Sequence, residues 1–119
     1  MSYANMEEIV EAVEADANLT IVRLGELREA LGYSRLGSNV LREIADELKK
    51  ANLGYFPQWR LDENDQPRQH DEVRVYKTRS ALGDLIDAVL EPSAKNDERL
   101  RAAGGNDAEI LSQIRKLLA

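Results

Sequence analysis

Cysteine is absent from the 119 residues, and with it go disulfides, thiolate zinc sites and thiol nucleophiles. Stability must then come from packing. Histidine occurs once, as His70 in a polar stretch, so no histidine pair can hold a metal and no rigidly placed imidazole can act as a base. Long apolar runs are also missing: none approaches the ~20 residues that a membrane-spanning helix needs. Residues 1–14 are acidic rather than basic and then apolar, which is unlike a secretory leader. A cytoplasmic chain with no membrane partner is expected. The only adjacent glycines, Gly104 and Gly105, have neither the lysine nor the preceding strand of a phosphate-binding loop. Asp62, Asn64 and Gln66 imitate the start of a calcium loop, but Pro67 and Val73 stand where that loop needs glycine and glutamate. No catalytic set, metal site or cofactor site emerges, and the expectation is a non-enzymatic domain that carries none.

What is present suffices for one packed core. The length fits a single domain, and 43% hydrophobic with 32% charged residues rules out global disorder. The net charge of −6 opposes broad adhesion to nucleic acid or anionic lipid. Its distribution is uneven: residues 1–18 hold five acids and no base, whereas residues 19–80 hold eleven bases against ten acids. The middle of the chain is therefore the only part with a positive balance.

Hydrophobic periodicity divides the chain into helices and strands. Asn5 with Glu8 forms a capping pair, followed by Met6, Ile9, Val10 and Val13 at helical spacing, ending near Ala17. Thr20, Ile21 and Val22 are β-branched and suit a brief strand. Leu24, Leu27 and Leu31 mark a second helix over residues 22–31, closed by Gly32. Ser34 or Ser38 can cap a third helix, whose inward face is Val40, Leu41, Ile44, Ala45 and Leu48 and which Gly54 would close. Extended segments at 55–61 and 72–78 predict a hairpin with a polar, mobile tip at 62–71, and Pro57 places its strand at an edge. The strand period sets Tyr55, Pro57, Trp59 and Leu61 on one side and Phe56 on the other. Ser80 caps a further helix bearing Leu82, Leu85, Ile86, Val89 and Leu90, broken by residues 91–96. A short helical piece at 99–103 and a last helix from Asp107 with the stripe Ile110, Leu111, Ile114, Leu117 and Leu118 complete the chain.

The motifs LGELREALG at 24–32 and SNVLREIADEL at 38–48, followed by the hairpin at 55–78, resemble the winged helix-turn-helix superfamily. The resemblance covers roughly residues 5–90 and implies a mainly α fold with a small β-hairpin, followed by a linker and C-terminal helix at 91–119. It also implies double-stranded DNA as partner, with the third helix in the major groove. Carried onto this chain, it points to Arg35, Ser38, Asn39 and Arg42 for base edges and phosphate. The hairpin would lie along the backbone or minor groove through Arg60, Arg68, His70 and Arg74.

Competing readings of the same residues stay open. Ser38 can be only a helix cap, and Arg42 with Asp46, or Glu43 with Lys49 or Lys50, can form an ordinary solvated face. Asp62, Glu63, Asp65, Asp71 and Glu72 in the hairpin oppose a phosphate-gripping wing. The same fold also serves as an acidic protein-interaction module, with hairpin aromatics or the last helix holding a protein partner. That last helix either folds back on the domain or pairs with its copy in a homodimer reading two half-sites.

Overall fold

The computed structural model describes residues 2–104, and the chain divides into two compact units, Met1–Lys77 and Thr78–Ala119. The fold is mixed, with six helices and one small antiparallel sheet among the described residues. The compact division falls one helix earlier than the boundary expected after residue 90. The helix expected from Asp107 lies outside the described residues. No described helix is long and apolar enough to cross a membrane.

In the first unit, α1 (Met6–Ala15) starts as its sequence dictates. The Asn5 side chain accepts the Glu8 amide at 3.0 Å. The Glu8 carboxylate reaches back to the Ala4 amide at 3.1 Å, one residue short of the reciprocal pair expected. Ile9 and Val13 are buried, as their spacing requires. The helix stops at Ala15 because Ala17 and Asn18 take positive φ values of 57° and 70°, turning the chain into strand β1 (Leu19–Arg23).

Helix α2 (Leu24–Ala30) begins directly after β1, with the Arg23 amide held by the Glu26 carboxylate at 2.9 Å. Gly32 follows at φ 79°, where a side chain would be strained. The next helix, α3 (Ser38–Lys50), corrects the expected cap: Gly37 occupies that place in extended geometry, its carbonyl accepts from Leu41 at 2.9 Å, and Ser38 is the first helical residue. At the other end Asn52, at φ 60°, supplies the left-handed turn expected of Gly54.

Gly54 instead lies inside β2 (Leu53–Phe56), opposite Tyr76 of β3 (Glu72–Lys77). The Tyr76 ring covers Gly54 so closely that any β-carbon there would collide with it. The sheet order is β1-β3-β2, all antiparallel, with Thr20 and Tyr55 both facing Val75. β2 is thus an edge strand that ends just before Pro57, whose missing amide costs no ladder bond. Val22, Val73, Val75, Leu53 and Tyr55 join Ile9, Val13, Leu24, Leu27, Leu41, Ile44, Leu48 and Leu61 in one core.

The expected strand over 55–61 is half wrong. It stops at Phe56, and Trp59–Asp62 is instead a single helical turn, α4. Amides of Arg60, Leu61 and Asp62 bond back to Pro57 and Gln58 carbonyls, which turns Leu61 into the core while Trp59 stays outside. Alternation therefore fails as a guide beyond Phe56.

The second unit contains α5 (Ala81–Leu90), where Ser80 Oγ accepts the Gly83 amide at 2.9 Å as expected. α6 (Ala94–Gly104) packs against α5 and is twice as long as the piece expected. Its start is set by Ser93 Oγ, which accepts the Asn96 amide at 3.0 Å, so the break shrinks to residues 91–93 around Pro92.

Because Leu41 and Ile44 are fully buried between α3 and the sheet, removing either side chain must open a cavity. Leu41→Ala and Ile44→Ala are each expected to cost about 2 to 5 kcal/mol. Denaturant unfolding checks this; a loss under about 1 kcal/mol would show that this face is not core.

Candidate functional site

Burial of Leu41, Ile44 and Leu48 leaves the opposite face of α3 in water. Arg35 in the α2–α3 turn and Ser38, Asn39 and Arg42 on the first turns of α3 are all exposed. The turn itself is fixed: Arg28 donates to the Tyr33 carbonyl at 2.7 Å. The Tyr33 hydroxyl hydrogen-bonds the Glu43 carboxylate, which raises its pKa above the ordinary tyrosine value. Among the described residues, Arg35, Asn39 and Arg42 form no ion pair and no side-chain hydrogen bond. The expected pairing of Arg42 with Asp46 does not form, and Lys50 pairs with Glu47 at 3.2 Å instead of Glu43.

The connection from β2 to β3, residues 57–71, distributes its bases differently from expectation. Arg60 lies on α4, not on a strand. Its guanidinium is 5.0 Å from the Trp59 ring centre and 3.6 Å from Asp71, and its Nε is buried without a hydrogen-bond partner. That arginine is thus committed within the protein. Arg68 and His70 are exposed, with the Arg68 amide donating to the Asp71 carboxylate at 3.1 Å. Arg74 sits on the central strand between Ile21 and Phe56, on the face turned from the core. Only the four residues around the start of α3 come together.

The connection is also not the free tip that its polarity suggests. Gly25 and Leu24 amides donate to the Gln69 and Asp71 carbonyls at 3.1 and 2.8 Å, and Arg28 Nε donates to the Gln69 side chain at 3.2 Å. Gly25 lets this approach be close: a β-carbon there would displace the Gln69 amide and press on the Gln69 carbonyl at 3.1 Å. At the other end, the Tyr55 hydroxyl donates to Asp62.

These tethers place acids where composition alone did not reveal them. A cleft of about 350 Å³ is lined by Ser38 and Arg42 on one side and by Leu61, Asp62, Glu63, Asn64 and Asp65 on the other. Three carboxylates therefore share a cleft with the arginine on the outward face of α3. The missed signal was the helical turn at 59–62, which aims the following acids at α3 rather than away from it.

The chain matches no protein-family model, no curated protein and no solved structure. The geometry of the site therefore carries the functional argument. Chemically the α3 face offers donors suited to base edges, while the cleft offers mixed charge.

Tyr55 supplies a pH test of the tether. Burial first, and then its bond to Asp62, push the phenol above the ordinary tyrosine range. In the unfolded chain it ionises near pH 10, whereas the folded protein still holds the proton, so stability is complete below about pH 10 and falls above it. The decline from this group is at most about 1.4 kcal/mol per pH unit. Tyr55→Phe is expected to be less stable at neutral pH yet to show a shallower alkaline decline, measured by unfolding at pH 8 to 11. An unchanged slope would mean that the phenol is not held protonated.

Proposed function

We propose that the first unit is a winged helix-turn-helix that binds double-stranded DNA sequence-specifically through α3. The order of its elements supports this: helix, strand, two helices in a turn, then two strands whose connection lies beside α3, with β3 between β1 and β2. The observation that carries the proposal is the exposed, unpaired set Arg35, Asn39 and Arg42 at the start of a helix whose other face buries Leu41, Ile44, Ala45 and Leu48. Arginine donates in bidentate fashion to guanine O6 and N7, and asparagine pairs with adenine N6 and N7. Ser38, free of capping duty, is available to a phosphate oxygen. The role that fits is a transcription regulator or an accessory DNA-binding subunit. The apolar stripe from Ile110 to Leu118 would suit a homodimer that sets two copies of α3 on two half-sites.

A second reading is favoured by one observation, the carboxylates of Asp62, Glu63 and Asp65 in the cleft beside Arg42. Phosphates approaching that end of α3 meet repulsion, which suits an acidic protein-interaction module on the same scaffold.

Selection from a random duplex library followed by anisotropy titration over salt separates the two. Specific DNA binding should yield a consensus, weaken as salt rises, and lose about 1 to 3 kcal/mol with Arg42→Ala. No recovered consensus, or equal affinity of Arg42→Ala for the recovered duplex, would overturn the DNA proposal.

A further inference from the structure

Trp59 stands out from the rest of the apolar inventory. It is 52% exposed, and Ile21 at 49% is the only other large hydrophobic left in solvent among the described residues. A single exposed indole is ordinary on a protein surface, so its setting has to distinguish it. This one is also held in place: Arg60 stacks on it at 5.0 Å while anchored to Asp71 at 3.6 Å, and Leu61, two residues on, is locked in the core. The ring is therefore presented as a fixed platform.

Its position relates it to the α3 face. α4 packs beside α3, and Leu61 and Asp62 of that turn form one wall of the cleft whose other wall is Ser38 and Arg42. Charge along the connection is segregated on a scale that the total conceals. Residues 57–61 hold one base and no acid, residues 62–65 hold three acids, and residues 66–70 hold Arg68 and His70 with no acid. The acidic stretch repels phosphate, but the stretch carrying Trp59 does not. Indole Nε1–H is a neutral donor with no acceptor of its own, suited to a phosphate oxygen, and its ring face suits the apolar edge of a deoxyribose.

Resting on the α3 proposal, we propose that Trp59 is a second DNA-contacting element, which seats the sugar–phosphate backbone of the duplex while α3 reads the bases. Contacts of this kind fix register without carrying sequence information. Trp59 should then act on affinity and Arg42 on preference.

The chain contains a single tryptophan, so its intrinsic emission reports this side chain alone. The experiment titrates the full chain with a duplex recovered by selection, following anisotropy of the labelled DNA together with Trp59 emission and acrylamide quenching. Binding is expected to change the emission and to reduce acrylamide access. Trp59→Ala is expected to weaken matched and mismatched duplexes alike by about three- to tenfold, the worth of one such bond, leaving their ratio unchanged. Arg42→Ala should instead reduce the ratio. DNA binding with unaltered Trp59 emission, or a Trp59→Ala variant that melts like the parent and binds equally well, overturns this inference and leaves the α3 proposal standing. A duplex that binds equally well to Arg42→Ala overturns the α3 proposal itself. Emission that responds to protein concentration without DNA assigns Trp59 to an interface between copies of the chain and likewise overturns the inference.

Discussion

Everything in the first unit is oriented by the burial of one stripe on α3. Leu41, Ile44 and Leu48 are fully enclosed, and with a helical repeat of 3.6 residues that choice leaves Asn39 and Arg42 no place but solvent. Burying three such side chains contributes about 1.5 to 3 kcal/mol each, far more than an exposed ion pair of Arg42 on the surface would. The outward face is thus decided by the inward one. The same packing positions Leu61 and, through it, α4 with its exposed tryptophan.

Much of this was legible in the chain because it is local. Asn5 and Ser80 cap their helices, Gly32 turns left-handed after α2, and the stripes of α1 and α3 follow from spacing alone, whereas on α5 only Ile86 of the expected stripe is buried, together with Gly83 and Ala88. Failures cluster where tertiary contact outweighs local pattern. The run from Tyr55 to Leu61 has the aromatics and alternation of a strand, but an edge strand ending at Pro57 gains nothing by continuing, and a turn of helix buries Leu61 instead. α6 has few apolar residues and no strong face, so periodicity revealed only its C-terminal half. The pairing of β1 with β3 joins residues 49 to 57 positions apart, which no short window can show.

The candidate site divides along the same line. Exposure of Arg35, Ser38, Asn39 and Arg42 follows from the α3 stripe and could be read in advance. The fate of Arg60 could not, because its stacking on Trp59 and its pairing with Asp71 depend on the helical turn and on the return of the connection to α2. Sequence counts treated residues 19–80 as slightly basic. In space, four of those bases, Arg28, Lys50, Arg60 and Lys77, are paired with acids of the protein, and three acids are set against the outward face of α3.

This arrangement bears on what kind of DNA binding the proposal can mean. Non-specific affinity comes almost wholly from phosphate neutralisation, and a chain of net charge −6 with carboxylates flanking α3 forgoes most of it. Base-edge bonds are short-ranged and survive a repulsive flank, provided the helix enters the groove far enough to make them. A neutral donor such as indole Nε1–H adds backbone contact without adding charge that any duplex would attract. On that proposal the combined effect would be to lower binding everywhere while leaving the difference between right and wrong sequences intact, and it is that difference, not the absolute affinity, that decides occupancy among many competing sites.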